Sequence, residues 1–60
     1  MTENVKRAVD LAAELGDIFN TLVVETTDYD LERLFKQLEA DMMDIRHKLA
    51  LAAKIVGNNA

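Results

Sequence analysis

Two rows of apolar residues, each stepping by three and four positions, run through the chain and limit what it can fold into. Val5, Ala8, Ala12, Leu15, Phe19 and Leu22 form the first, and Leu31, Phe35, Leu38, Met42, Ile45, Leu49, Ala52 and Val56 the second. This spacing returns to one side of an α-helix and is the seam of a helix packed lengthwise on another. Two antiparallel helices joined by a short turn must pair residues whose numbers add to a constant, and the rows meet that condition. Leu22 faces Leu31, Phe19 faces Phe35, Leu15 faces Leu38, Ala12 faces Met42, Ala8 faces Ile45 and Val5 faces Leu49, each pair totalling 53 or 54. The expected fold is all-α: an antiparallel αα-hairpin with helices over about 2–24 and 28–56, residues 1–60 forming one helical-hairpin domain.

Local signals set the boundaries. Thr2 suits an N-cap, with Glu3 in the first turn where negative charge favours the helix dipole. Gly16 lies inside the first helix at a cost of about 1 kcal/mol relative to alanine, which points to a close approach by another backbone or to a bend. Glu25-Thr26-Thr27-Asp28 interrupts the pattern, and Thr27 followed by Asp30 resembles a capping box with the shorter acid. Gly57, Asn58 and Asn59 supply a stop for the second helix. Glu3 with Arg7, Glu32 with Lys36 and Asp44 with Lys48 stand at the spacing of helix-supporting ion pairs.

A chain of 60 residues buries only about 60% of its unfolded surface, and small folds of this kind lean on disulfides, metals or association. With no cysteine and one histidine, association is the route left. The apolar positions also spread wider than one neighbour covers, because Val9, Leu11, Ile18 and Val23 flank the first row and Leu34, Ala53 and Ile55 the second. Ala52, Ile55 and Val56 project past the start of the first helix. The expected oligomer interface is Val9, Leu11, Ile18, Val23, Leu34, Ala52, Ile55 and Val56, and the expected partner is the chain itself, as a homodimer or a higher oligomer.

Charge orients the copies. Lys6, Arg7, Arg46, His47, Lys48 and Lys54 gather at the open end, and Asp17, Glu25, Asp28, Asp30 and Glu32 toward the turn. An antiparallel dimer sets opposite signs side by side, giving a head-to-tail four-helix bundle.

In hairpin length, acidity and heptad spacing the chain resembles the Rop-like family of helical-hairpin dimers. That resemblance implies an antiparallel four-helix bundle binding paired RNA loops through polar and basic residues on the outer face of helix 1. The outer positions here are Glu3, Lys6, Arg7, Asp10, Glu14, Asp17, Asn20 and Thr21, and their acids depart from such a face. As a whole chain it is also similar to the small acidic helical accessory proteins encoded in the early regions of lambdoid phages.

Candidate chemistry is sparse. Asp44 and His47 stand three apart, as in carboxylate-bridged di-iron bundles, but those sites need inward carboxylates and every row position is apolar. Glu39, Asp41 and Asp44 fall on an exposed side, where carboxylates stay ordinary anions instead of catalytic acids or bases. No nucleophile beside a base and no Gly-rich phosphate loop is present, so the expected protein is non-enzymatic, with no metal and no cofactor. The net charge of −4 argues against general nucleic-acid affinity. Lys6, Arg7, Arg46 and Lys48 are the one candidate nucleic-acid contact, and no aromatic stacking platform interleaves them. Met43 and Leu51 lie off the second row and form a candidate partner surface. No continuous apolar run reaches the roughly 20 residues of a membrane span and nothing at the start reads as a signal peptide, so a cytoplasmic location without membrane attachment is expected. Taken together these features describe a small regulatory or accessory module that binds a partner protein, with a Rop-like RNA-binding regulator as the alternative.

Overall fold

The computed structural model describes residues 1–59, Asn59 by its backbone alone. It contains two α-helices, α1 over Thr2–Glu25 and α2 over Tyr29–Asn59, packed against each other along their length. The described residues hold no strand. The 31 residues of α2, rising 1.5 Å each, account for the long dimension of a molecule measuring 47 × 15 × 11 Å. Its radius of gyration is 14.0 Å, against about 10 Å for a compact domain of this length. The hairpin is one helix thick.

Helix α1 starts at residue 2 as expected, while its cap and the other three helix ends differ from the sequence expectation by a residue or more. Thr2 is the first helical residue and not the cap; the cap is Met1, which has no side-chain acceptor and contributes its carbonyl to the Val5 N–H at 3.0 Å. Helix α1 runs through Glu25, and Thr26 ends it with an extended backbone (φ −73°, ψ 142°) while its N–H still reaches the Leu22 carbonyl at 3.0 Å. Thr27 and Asp30 make no capping box. Asp28 caps α2 instead, since its Oδ1 accepts the Leu31 N–H at 3.0 Å and its carbonyl accepts the Glu32 N–H at 2.9 Å. The Thr26 hydroxyl oxygen in turn accepts the Asp28 N–H at 3.2 Å, which fixes the cap residue itself.

The expected stop at Gly57 does not operate. No glycine adopts positive φ, and α2 continues through Gly57 and Asn58 to Asn59. A glycine stop needs the chain to turn back and make a contact after it, and nothing lies within 4 Å of a Cβ placed on Gly57. The turn has no reason to form. Ala60 lies outside the described residues.

Ion pairs join Glu32 to Lys36 at 3.4 Å and Asp44 to Lys48 at 3.1 Å, both four residues apart and both solvent-exposed. They are worth a few tenths of a kcal/mol each. The third expected pair, Glu3 with Arg7, is not formed. On α1 the Thr21 hydroxyl donates to the Asp17 carbonyl at 3.0 Å, a back-bond within the helix.

Gly16 marks the approach of side chains, not of backbone. A Cβ built there would meet Met42 Cγ at 3.5 Å and the Arg46 side chain at 3.9 Å, both ordinary van der Waals separations. Gly16→Ala should therefore remove the helix penalty without a clash and raise stability by up to about 1 kcal/mol, read as a higher urea midpoint. Asp28→Ala should do the opposite, costing about 1 kcal/mol through the lost cap and lowering the melting midpoint by about 4–8 °C in a domain of this size. Circular dichroism at 222 nm follows both.

Candidate interaction surface

The core between the helices is thin. Ala12 and Met42 are its buried residues, and among the described residues no side chain is fully buried. Around them runs a seam of partly covered positions: Val5, Ala8, Val9, Ala13, Gly16, Phe19, Leu22 and Val23 on α1, with Glu32, Phe35, Glu39, Leu49, Ala52, Ala53 and Val56 on α2. This seam takes in most of both rows and is shifted from them toward the residue that follows. Leu15, Leu31, Leu38 and Ile45, expected to face the other helix, keep 40–44% of their surface exposed. The physical reason is that the apolar arc of each helix is wider than one neighbouring helix covers. Small residues at Ala12 and Gly16 let α2 close over the side of α1 that carries Val9 and Val23, leaving the leucines to one side.

The rotation sorts the remaining apolar surface. Leu11, Leu15 and Ile18 each stand one residue before a seam residue of α1, and Leu34, Leu38 and Ile45 each stand one residue before Phe35, Glu39 and Arg46 on α2. One residue is a rotation of about 100°, and in two antiparallel helices packed face to face the same rotation leads to the same side of the pair. With Leu31 these residues form a continuous leucine face spanning both helices, exposed by 40–55%. Residues one step after the seam lie on the opposite side, and the grooves there bear the rule out. Val9, Ala13, Met43, Arg46, His47 and Ala50 line a shallow groove of about 370 Å³ that crosses from α1 to α2. Gly16, Asp17, Asn20, Glu39, Met42, Met43 and Arg46 line its continuation toward the turn.

The residues expected at an oligomer interface therefore divide. Leu11, Ile18 and Leu34 belong to the leucine face, and Ile55, before Val56, extends that side at the open end and is 60% exposed. Val9, Val23, Ala52 and Val56 are half-buried; Val9 opens onto the groove side. Ala52 and Val56, expected to lack any cover, are thus partly covered within the hairpin.

Met43 is 63% exposed and lines the groove. Leu51 is 49% exposed but stands two residues from the seam in both directions, on the back of α2, so the two do not make a common strip. The basic cluster also divides. Lys6, one step after Val5, falls on the groove side with Arg46 and His47, while Arg7 and Lys48, one step before Ala8 and Leu49, fall on the leucine side. Lys48 is paired with Asp44, whose carboxylate is thereby turned to an ammonium group instead of to His47. Lys6, Arg7, Arg46 and His47 have no carboxylate within 4 Å among the described residues.

Among the described residues no three of His, Cys, Asp and Glu come together as a metal site, and no helix is long and apolar enough to cross a membrane. Glu39 is half-buried beside the groove, whereas Asp41 and Asp44 are exposed. No family model, no curated protein and no solved structure matches the chain.

Met43 lines the groove and is exposed, outside the core between the helices. Met43→Glu should leave helicity within experimental error of the parent by circular dichroism, since the side chain packs into no core, while changing how the groove side binds.

Proposed function

We propose that the chain is a small, non-enzymatic helical interaction module: a cytoplasmic regulatory or accessory protein, of the plasmid and phage type it resembles, that binds a partner protein as a homo-oligomer. In this reading two hairpins dimerise into a four-helix bundle. The observation that carries it is the leucine face, a row of large aliphatic side chains left in water by a molecule with almost no core of its own. Exposed apolar surface that is contiguous, and not scattered, marks a site of association. The groove that holds Met43 lies on the other side of the seam and supplies a second surface, apolar at Val9, Ala13 and Ala50 and cationic at Arg46 and His47.

Affinity capture from the native cell, with and without nuclease treatment, tests the reading. A protein retained equally in both samples, and lost with Met43→Glu but not with a neutral change at the back-facing Leu51, is the expected result. Retention that depends on intact RNA, falls steeply with salt, and disappears when Lys6 and Arg7 are changed to Glu would replace it with the Rop-like RNA-binding alternative.

A further inference from the structure

We infer that the leucine face is covered by a second copy of this chain, related by a two-fold axis crossing the hairpin at Leu38, so that the two turns lie at opposite ends. The inference rests on the homo-oligomeric reading above and adds to it the face, the orientation and the register.

Area gives the first argument. The chain exposes 4847 Å², whereas a compact folded monomer of 6.7 kDa exposes about 3,900 Å². The surplus of about 900 Å² is close to the roughly 800 Å² that each partner gives up in a stable protein interface. A core of two buried residues does not balance the ordering of some sixty residues, so the surplus is surface that association must remove.

Self-complementarity gives the second. Laying one hairpin antiparallel on another, leucine face to leucine face, stacks α1 on α1 and α2 on α2. With Leu38 against its own copy, Leu31 falls on Ile45 of the second chain, and Leu34 falls between Leu38 and Ile45 of that chain. On α2 the large residues from Leu31 to Ile45 each meet another, which is what an isologous interface requires, and Ile55 overhangs the end of the pair.

The third is charge at the edges of the same face. In this register Asp30, at the edge of the face, lies at the level of Lys48 of the second copy. A parallel pairing would gather Glu25, Asp28 and Asp30 of both chains at one end and their cations at the other. Asp41, one step before Met42, is the one acid inside the face; the register sets it near Gln37 of the second copy, an amide able to donate to it.

The chain contains no cysteine, so single cysteines placed by mutation read the geometry cleanly. Sedimentation of the parent at micromolar concentration comes first: a monomer would defeat the homo-oligomeric reading and this inference together. Given a dimer, Leu38→Cys treated with a short bis-maleimide should convert to a covalent dimer, while Met43→Cys, on the groove side, and Thr27→Cys, at the turn, should remain uncrosslinked. Crosslinking of Thr27→Cys would show a parallel pair, and crosslinking of Met43→Cys the wrong face; either overturns the inference while leaving the homo-oligomer standing. Because Leu38→Cys can loosen packing, a mixture of Asp30→Cys and Lys48→Cys chains, both altered only at the exposed edge, provides an independent reading. Linked heterodimers are expected there, and their absence in a chain that sediments as a dimer refutes the register.

Discussion

Met42 against Gly16, its Cγ 3.5 Å from where a Cβ on that glycine would stand, is the contact on which the rest of the hairpin depends, and Met42 and Ala12 are the residues buried between the helices. A long unbranched side chain fills the space beside a residue with no side chain of its own. That choice of contact decides the rotation of both helices. Once Ala12 and Gly16 face α2, Leu15 cannot, and the same geometry turns Leu38 and Ile45 outward on the other helix. The leucine face and the small-residue groove are two results of one packing decision.

The energetic setting explains why the decision leaves so much uncovered. A pair of helices has one contact line, and each helix in a hairpin this long offers an apolar arc wider than that line. Apolar surface beyond the line contributes nothing to folding while it stays in water. The ion pairs at Glu32 and Lys36 and at Asp44 and Lys48 are exposed and add little, so no electrostatic term makes up for a thin core. What the surface offers is the capacity to associate, divided between an aliphatic side and a side with small residues and unpaired cations.

Much of the hairpin was legible in the residues themselves. The pairing totals of the two rows required two helices joined by a short turn, and Ala12 and Met42, one from each row, are the buried residues between them, but Met42 packs against Gly16, four residues beyond the partner its total gave. The rotation was not legible, because Val9 and Val23 on one flank are as apolar as Leu11 and Ile18 on the other, and periodicity alone gives no preference between them. Closeness along the chain also misled: Arg46 and Lys48 are two residues apart, yet about 200° of helical rotation separates them, and the cations fall on opposite sides. The caps were read one residue out, since Thr2, Thr27 and Asp28 all have side chains able to cap a helix and only the path of the backbone selects among them. Met43 stood out in the sequence as an apolar residue off the row, but the groove it lines needed both helices to be visible.

The turn has an implication for topology. No residue in it occupies the left-handed region, and neither glycine nor proline enforces the reversal. Thr26, Thr27 and Asp28 could each adopt helical angles, in which case the chain would be a single rod of about 85 Å at 1.5 Å per residue. What holds the bent form is the Thr26 and Asp28 side chains competing with the helix for backbone N–H groups, together with the contact of the two arms. The direction of the second arm is thus kept by side chains and by packing, with no residue among 26–28 that forbids a helix, so Thr26 and Asp28 set where the arm points as well as where it begins.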